Sequence, residues 1–168
     1  MKKKRGFTLV EVLIVVLILG ILGAVVIPKF STASATARAS MLAHDLRIIR
    51  SQVMVFKGQH AGVSPGYPGL DAGVAPTEAA FVLHMTKSST AAGATAEPGT
   101  GGFPFGPYMR KMPTNPVNDK ATVQIIANGG TVPAVADDSH GWIFQPTTLI
   151  FKADCTGTDD LGRAYIDY

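Results

Sequence analysis

Side chains that could do acid–base, nucleophilic or metal chemistry are few in this sequence and stand far apart. Four histidines are scattered along the 168 residues, and no base adjoins the single cysteine, which we interpret as a small buried residue. One cysteine excludes an intramolecular disulfide and a cysteine-built zinc site. The sequence has no glycine-rich phosphate loop and no serine-centred elbow. We therefore predict a chain without catalytic activity; the residues concerned are His44, His60, His84, His140 and Cys155.

One carboxylate, Glu11, lies inside an otherwise uncharged run that extends over residues 7–27. A helix of this length rises about 31 Å, which is enough to cross the hydrocarbon of a bilayer. Burying a carboxylate there costs roughly 2.5–3.5 kcal/mol at the helix centre and less near an end. Glu11 therefore needs a partner or a function, and a plain interfacial glutamate is the alternative.

Positive charge is concentrated at the very N-terminus. The formal net charge is +3, but Lys2, Lys3, Lys4 and Arg5 precede the apolar run, and the remaining sequence is slightly acidic. This distribution predicts an N-terminus on the cytoplasmic side of a membrane. A nucleic-acid binder would spread Lys and Arg over a folded face, so we do not expect nucleic acid as a partner.

A removable secretory signal peptide is the competing explanation of this N-terminus. However, the apolar run is too long for one, and no small-x-small cleavage site clearly follows it before Pro28. We therefore expect the apolar segment to stay in the protein as an anchor. Pro28 is predicted to end or kink the helix, because proline lacks the N–H and clashes with the preceding turn.

Residues 2–28, KKKRGFTLVEVLIVVLILGILGAVVIP, resemble the class III signal of type IV pilins and type II secretion pseudopilins. The resemblance implies that a prepilin peptidase cuts after Gly6 and methylates the new N-terminus at Phe7. Residues 1–6 would then be a leader, and residues 7–28 would form the transmembrane and filament-core helix.

The same resemblance implies roles in assembly for two further residues. Glu11 would pair with the N-terminal amine of a neighbouring subunit, and this pair would set the register of subunits in the filament. Pro28 would be the hinge at which the helix bends or partly melts in the filament. A simple boundary between the membrane helix and the aqueous helix is the alternative for Pro28.

Beyond the apolar run, helical periodicity continues to about residue 57. Apolar residues at intervals of three and four form one stripe, which predicts an amphipathic helix over 29–57 that packs on a globular head. The head, 58–168, begins with a loop-rich stretch, 58–106, that holds a short helix. We interpret His84 on this helix as surface or partly packed, because no second metal ligand stands at suitable spacing. The stripe consists of Leu42, Leu46, Ile49, Val53 and Phe56.

The C-terminal third predicts β-hairpins within 122–153. One hairpin would join strands over 122–127 and 131–135 through a glycine turn, and the other would begin at Trp142. Three or four strands packed on an amphipathic helix form a viable core. We therefore predict an α+β fold with a long N-terminal helix on a small antiparallel sheet, the type IV pilin-like fold that the resemblance implies.

The C-terminal half also resembles a narrower group, the general secretion pathway protein G family of major pseudopilins. The resemblance rests on GPYMRKMPTNPVN and GWIFQPTTLIFKAD, at 106–118 and 141–154. We expect Tyr108 to enter the core, Pro113 to fix the crossing segment and Trp142 to be the main core aromatic rather than a contact between subunits. The absence of a cysteine pair, which closes the C-terminal loop of many type IV pilins, favours the pseudopilin group.

An acidic loop near the C-terminus contains Asp154, Asp159 and Asp160. Several members of the family bind calcium in this loop, and calcium takes six to eight oxygen ligands. The spacing reproduces neither the family's loop nor an EF-hand. The sequence therefore leaves two alternatives, a calcium site at these three residues or a solvated acidic loop.

Taken together, the resemblance implies a structural subunit that polymerises into the periplasmic pseudopilus of a type II secretion system. Its partners would be other copies of the chain, the prepilin peptidase, minor pseudopilins, the inner-membrane platform and, indirectly, the assembly ATPase. It would sit in the inner membrane with its head in the periplasm. The alternative is a type IV pilin or minor pilin-like binding subunit of a surface filament for adhesion, motility or DNA uptake.

Overall fold

The computed structural model describes the backbone of residues 6–168 and the side chains of the same range except 25–32. The predicted basic cluster of residues 2–5 lies outside the described residues. The chain divides into two units, Met1–Ala37 and Arg38–Tyr168; the second is called the head unit below.

A single helix, α1, spans Leu9–Gln59 and therefore belongs to both units. In the first unit its apolar side chains are exposed all the way from Leu9 to Leu22, typically by half or more. Among the described residues, no helix has an apolar stretch of the length needed to cross a membrane.

The head unit contains the C-terminal half of α1, a short helix and two small sheets. Helix α2 spans Glu78–Thr86, and a two-stranded sheet pairs β1 with β2. A three-stranded sheet has the order β3-β4-β5. Two 3-10 turns, Pro68–Leu70 and Tyr165–Asp167, complete the elements. The strands are β1 Ser88–Ser89, β2 Thr95–Ala96, β3 Val123–Ile125, β4 Trp142–Gln145 and β5 Ile150–Ala153.

The core lies between the apolar stripe of α1 and one face of the three-stranded sheet. Every residue of the stripe is at most 2% exposed, and the stripe shares one buried cluster with Phe81, Trp142, Phe144 and Phe151. Burying an aliphatic or aromatic side chain of this size stabilises a fold by about 1.5–3 kcal/mol. The predicted α+β fold, with a long N-terminal helix on a small sheet, is confirmed.

The three-stranded sheet is mixed rather than wholly antiparallel. Strand β4 pairs antiparallel with β5, but β3 runs parallel to β4, with Val123 opposite Trp142. Parallel neighbours need a crossover connection of about a dozen residues or more. The connection 126–141 supplies it and returns the chain to the end of the sheet from which β3 starts.

The predicted strand over 131–135 is wrong, since no strand forms there. Pro133 lacks a backbone N–H and cannot donate to a ladder. Val132 and Ala136 pack instead with Ile143 and Ile166 in a second, smaller buried cluster. The connection therefore covers the other face of the sheet instead of extending its edge.

Two histidines lie in the core beside Phe56, in contrast to the interpretation of His84 as surface or partly packed. His84 is 2% exposed, and its Nδ1 accepts a hydrogen bond from the backbone N–H of Gly66 at 3.2 Å. The ring of Phe56 lies 3.9 Å from that of His60 and 5.0 Å from that of His84. Phe56 is the last residue of the α1 stripe, and His84 on α2 packs against it. This contact places His84 in the core.

Acidification should destabilise the head unit through His84. Burial, followed by repulsion from His60, lowers the pKa of His84 from 6.5 to about 4. On acidification the unfolded chain therefore protonates His84 at a higher pH than the folded chain does. The free energy of unfolding keeps its full value above pH 6.5 and falls as the pH drops toward 4. We expect a loss of about 2 kcal/mol between pH 6.5 and about pH 5.

Denaturant unfolding, followed by the fluorescence of the only tryptophan, Trp142, measures this loss. His84→Gln should flatten the slope over that pH range. The control His44→Gln, at an exposed position of α1, should leave it unchanged. An equally steep slope in the His84 variant would show that other groups carry the pH dependence.

Candidate processing and assembly site

The segment that contains the predicted cleavage position lies outside the helix and is exposed. Residues 6–8 are not helical, and α1 begins at Leu9. The side chain of Phe7 is 87% exposed. The peptide bond between Gly6 and Phe7 therefore lies outside the helix, in a conformation in which no helical hydrogen bond has to break before a peptidase can act.

Glu11 and Thr8 together close the first turn of α1. The carboxylate Oε2 of Glu11 accepts hydrogen bonds from the backbone N–H and the hydroxyl of Thr8, both at 2.7 Å. In return, the backbone N–H of Glu11 donates to Thr8 Oγ1 at 3.2 Å. This reciprocal arrangement is a capping box, in which a Ser or Thr at the N-cap and a Glu three residues later satisfy each other's free donors.

Sequence reasoning missed this cap, although the Thr-x-x-Glu spacing at its two positions was the available signal. The cap also gives Glu11 a local partner in the single chain. Both bonds use Oε2, and a carboxylate offers about four lone-pair positions. The carboxylate of Glu11 can therefore still accept a hydrogen bond from a charged donor near the start of the helix.

Pro28 lies inside α1, which continues through this position to Gln59. It therefore does not end the helix. Its side chain falls outside the described residues, so the predicted hinge at Pro28 stays a prediction.

Two of the three predicted head residues meet directly. Trp142 is fully buried, and its indole N–H donates to the backbone oxygen of Pro113 at 2.9 Å. Tyr108 lies elsewhere, with its ring edge-on to Phe56 at 5.4 Å and its hydroxyl donating to Gln59 Oε1 at 2.6 Å. The crossing segment 107–113 is thus fastened at one end to α1 and at the other to the sheet.

Arg50 could not be predicted from the sequence, because it belongs to the polar flank of the α1 stripe. Its Nε and Nη2 donate to the backbone oxygen of Phe151 at 3.0 and 2.7 Å, and Nη2 also donates to the backbone oxygen of Tyr168 at 2.6 Å. Burial, with a smaller contribution from Arg163, lowers its pKa. The guanidinium fork joins α1 to β5 and to the C-terminal turn.

The carboxylates for which the sequence left a calcium site or a solvated loop as alternatives have separate sets of donors in the head. Asp154 is 1% exposed and accepts from the backbone N–H groups of Asp137 and His140. Asp159 accepts instead from the backbone N–H groups of Leu161 and Arg163 and from the hydroxyl of Tyr168, while Asp160 is exposed. Within residues 6–168, no three His, Cys, Asp or Glu side chains are placed to hold one metal ion.

Cys155 is buried, and desolvation raises the pKa of its thiol to about 11. A thiol reacts as its thiolate, so this side chain is unreactive at neutral pH.

A comparison with protein-family models matches residues 1–27 to the prokaryotic N-terminal methylation motif. These residues include Gly6, Phe7, Thr8 and Glu11, the positions around the predicted cleavage bond and the helix cap. No solved structure matches the chain significantly.

Curated relatives agree with the motif. A protein named type II secretion system core protein G from Klebsiella pneumoniae is 27% identical over 69% of this chain and 71% of its own length. The chain is related to type II secretion system core protein G. Proteins of the same name from Dickeya chrysanthemi and Pseudomonas aeruginosa are 26% and 31% identical, over 76% and 42% of this chain and 71% and 50% of their own lengths.

The predicted resemblance to type IV pilin-like pseudopilins is confirmed by the methylation motif and by these relatives. These relatives are named core proteins of a secretion system, which agrees with the predicted structural subunit. The match to the Klebsiella protein extends over 116 residues, far beyond the methylation motif, and so includes part of the head unit.

Replacing Arg50 by Met should destabilise the head unit by about 2 kcal/mol, because the backbone oxygens of buried Phe151 and half-buried Tyr168 lose a charged donor. Denaturant unfolding followed by Trp142 fluorescence measures the effect. Arg47→Met is the matched control, since Arg47 is exposed on the same helix, and it should change the free energy of unfolding by less than about 0.5 kcal/mol. Equal losses in the two variants would contradict the role given to Arg50.

Proposed function

We propose that this chain is the major pseudopilin of a type II secretion system, a subunit that polymerises into a filament between the inner membrane and the outer-membrane channel. The observation that carries the proposal is the similarity to core protein G over most of that protein's length. The methylation motif at residues 1–27 supports it, because the motif supplies the N-terminus that such a filament needs.

The apolar N-terminal part of α1 provides the anchor and, later, the filament core. Its side chains from Leu9 to Leu22 are exposed in the single chain. Apolar surface of this extent is covered by a membrane or by protein in a stable assembly. We propose that residues 7–28 lie in the inner membrane before assembly, with the basic leader on the cytoplasmic side and the head in the periplasm.

Processing would create the group that pairs with Glu11. A prepilin peptidase that cuts after Gly6 frees the amine of Phe7, which is positively charged unless it is buried. In a low-dielectric setting, a carboxylate gains most from a partner of full opposite charge. The amine of a neighbouring copy would therefore compete with the neutral donors of Thr8 for the carboxylate of Glu11.

The proposed mechanism is addition of subunits at the base of the filament. Each new copy would leave the membrane when its Phe7 amine engages a Glu11 carboxylate, and the growing rod would push the secreted substrate outward. Minor pseudopilins, the inner-membrane platform and, indirectly, the cytoplasmic ATPase would complete the machine.

Processing is tested by the intact mass and N-terminal peptide of the chain, taken from membranes of cells that contain the peptidase. We expect the chain to start at N-methylated Phe7. Gly6→Ala should yield only the unprocessed chain, because the added Cβ enters the peptidase at the scissile bond. A chain that starts at Met1 or beyond Pro28 in the unchanged protein would overturn the proposal.

Assembly is tested by two substitutions that separate the charge of Glu11 from its capping role. Glu11→Gln retains a capping acceptor, since Gln serves at this position of a capping box, but it removes the charge. Glu11→Ala removes both. We expect both variants to insert and be processed and both to lose filaments, with subunit association weakened on the order of 10- to 100-fold.

Filaments are counted by shearing and electron microscopy in cells that overproduce the assembly machinery. Normal filaments from the Gln variant would mean that the cap, and not the charged pair, is what assembly requires. Filaments that reach the cell surface and retract in the presence of a retraction ATPase would favour a type IV pilus over a pseudopilus.

A further inference from the structure

Three segments of the head unit meet around the buried carboxylate of Asp154. Its Oδ1 accepts from the backbone N–H of Asp137 at 3.1 Å, and its Oδ2 accepts from the hydroxyl of Ser139 and the backbone N–H of His140, at 3.1 and 2.8 Å. Both oxygens of this carboxylate thus point at hydrogen donors of the loop 137–140.

The neighbouring carboxylate, Asp138, is also engaged by donors of the chain. It accepts from the backbone N–H of Thr156 at 3.1 Å, from the hydroxyl of the same residue, and from the side-chain amide of Asn118 at 3.5 Å. The hydrogen bonds from Thr156 are the main cause of the lowered pKa of Asp138. Asn118 also donates to the backbone oxygens of His140 and Asp154, each at 2.7 Å.

An ammonium group completes the arrangement. Lys120 Nζ donates to the backbone oxygen of Asp138 and lies 3.4 Å from that of Ser139. It therefore binds two successive carbonyl oxygens on the loop whose side chains and N–H groups face Asp138 and Asp154. Two carboxylates, two carbonyls and one positive charge lie within a single loop junction.

The position of Lys120 is fixed by its backbone. Its carbonyl accepts from the backbone N–H of Asn115 at 2.9 Å, and its N–H donates to the side-chain oxygen of Asn118 at 3.2 Å. A Cβ on Gly141 would stand 2.1 Å from the same carbonyl oxygen, so only glycine fits there. These contacts hold the start of the Lys120 side chain against the loop that its ammonium reaches.

A calcium ion would need six to eight oxygens with free lone pairs directed at one point. Here the carboxylate oxygens of Asp138 and Asp154 face N–H and O–H donors, and the nearby carbonyls face an ammonium. Asp159, another carboxylate considered for calcium, closes a separate turn with Leu161, Arg163 and Tyr168. The residues present therefore do not fit the calcium site that the family resemblance implies.

We propose that the ammonium of Lys120 is a built-in cation that closes the loop junction at Asp138 and Asp154, so that the head unit is stable without calcium. The junction joins the segment before β3 to both ends of the β4-β5 hairpin. Closing it with a covalently attached charge removes the dependence on a dissolved ion. The proposal does not depend on the function proposed above, because it concerns only contacts within the head unit.

The test is the thermal unfolding of the full-length chain, purified from membranes in detergent, with either millimolar calcium chloride or a calcium chelator. We expect the same unfolding midpoint in both. Lys120→Met, which retains most of the aliphatic chain and removes the charge, should lower the midpoint by several degrees in both solutions. Lys120→Arg, which retains a cation, should recover most of the loss.

The matched control is Lys111→Met, at another exposed lysine a few residues earlier, which should leave the midpoint unchanged. A midpoint of the unchanged chain that rises with calcium would overturn the proposal, as would a Lys120→Met variant as stable as the Lys111 control. If the Lys120→Met variant does not accumulate, the proposal is still tested by comparing unfolding midpoints with and without calcium in the unchanged chain and in the Lys120→Arg variant. A chelator that destabilises either one would refute the proposal.

Discussion

One continuous helix has to satisfy two different surroundings, and the rest of the fold depends on how it does so. In the head unit α1 presents a single apolar stripe, and the sheet, α2 and the crossing segment are all arranged to cover it. Between Leu9 and Leu22 in the first unit, the same helix has exposed apolar side chains on all sides, with Glu11 as its one charged residue. A helix of that kind gains nothing from one covering surface, which is why it suits a membrane or the centre of a bundle.

Polar groups then decide how the covering elements are fastened. Arg50, which flanks the stripe, holds the backbone of β5 and the C-terminal turn, and Trp142 reaches out of the core to the backbone of Pro113. The bonds to Phe151 and Pro113 end on backbone carbonyls, and a buried carbonyl without a donor is costly. Hydrophobic burial therefore sets which faces meet, while a few charged and aromatic donors set the register in which they meet.

The features that follow a strong period could be predicted from sequence, and those that depend on distant pairing could not. The apolar residues of the α1 stripe recur every three to four residues, and those of the hairpin at Trp142 recur every second residue. Local spacing therefore indicates both elements. The parallel pairing of β3 with β4 depends on where the connection 126–141 returns, and nothing local to Val123 encodes it. For the same reason His84 was misplaced, because its burial results from contact with Phe56, far away in sequence.

The candidate site divides in the same way. Gly6, Phe7 and Glu11 could be proposed from sequence because they stand in one contiguous motif, and the Thr8 cap lies in the same short window. The partners of Asp154 were beyond it, since Asn118, Lys120 and the loop 137–140 converge only in the folded head. Asp154 and Asp159 looked like one cluster because they are close in sequence, but the chain turns between them and gives each its own donors.

The cap at Thr8 has a consequence for the order of events at the N-terminus. Because α1 starts at Leu9, after the Gly6–Phe7 bond, the proposed cut would leave every residue of the helix and of the Thr8–Glu11 pair in the mature chain. The proposed processing would therefore change the charge of the terminus and leave the length of the helix unchanged, and the new amine would distinguish a mature subunit from its precursor.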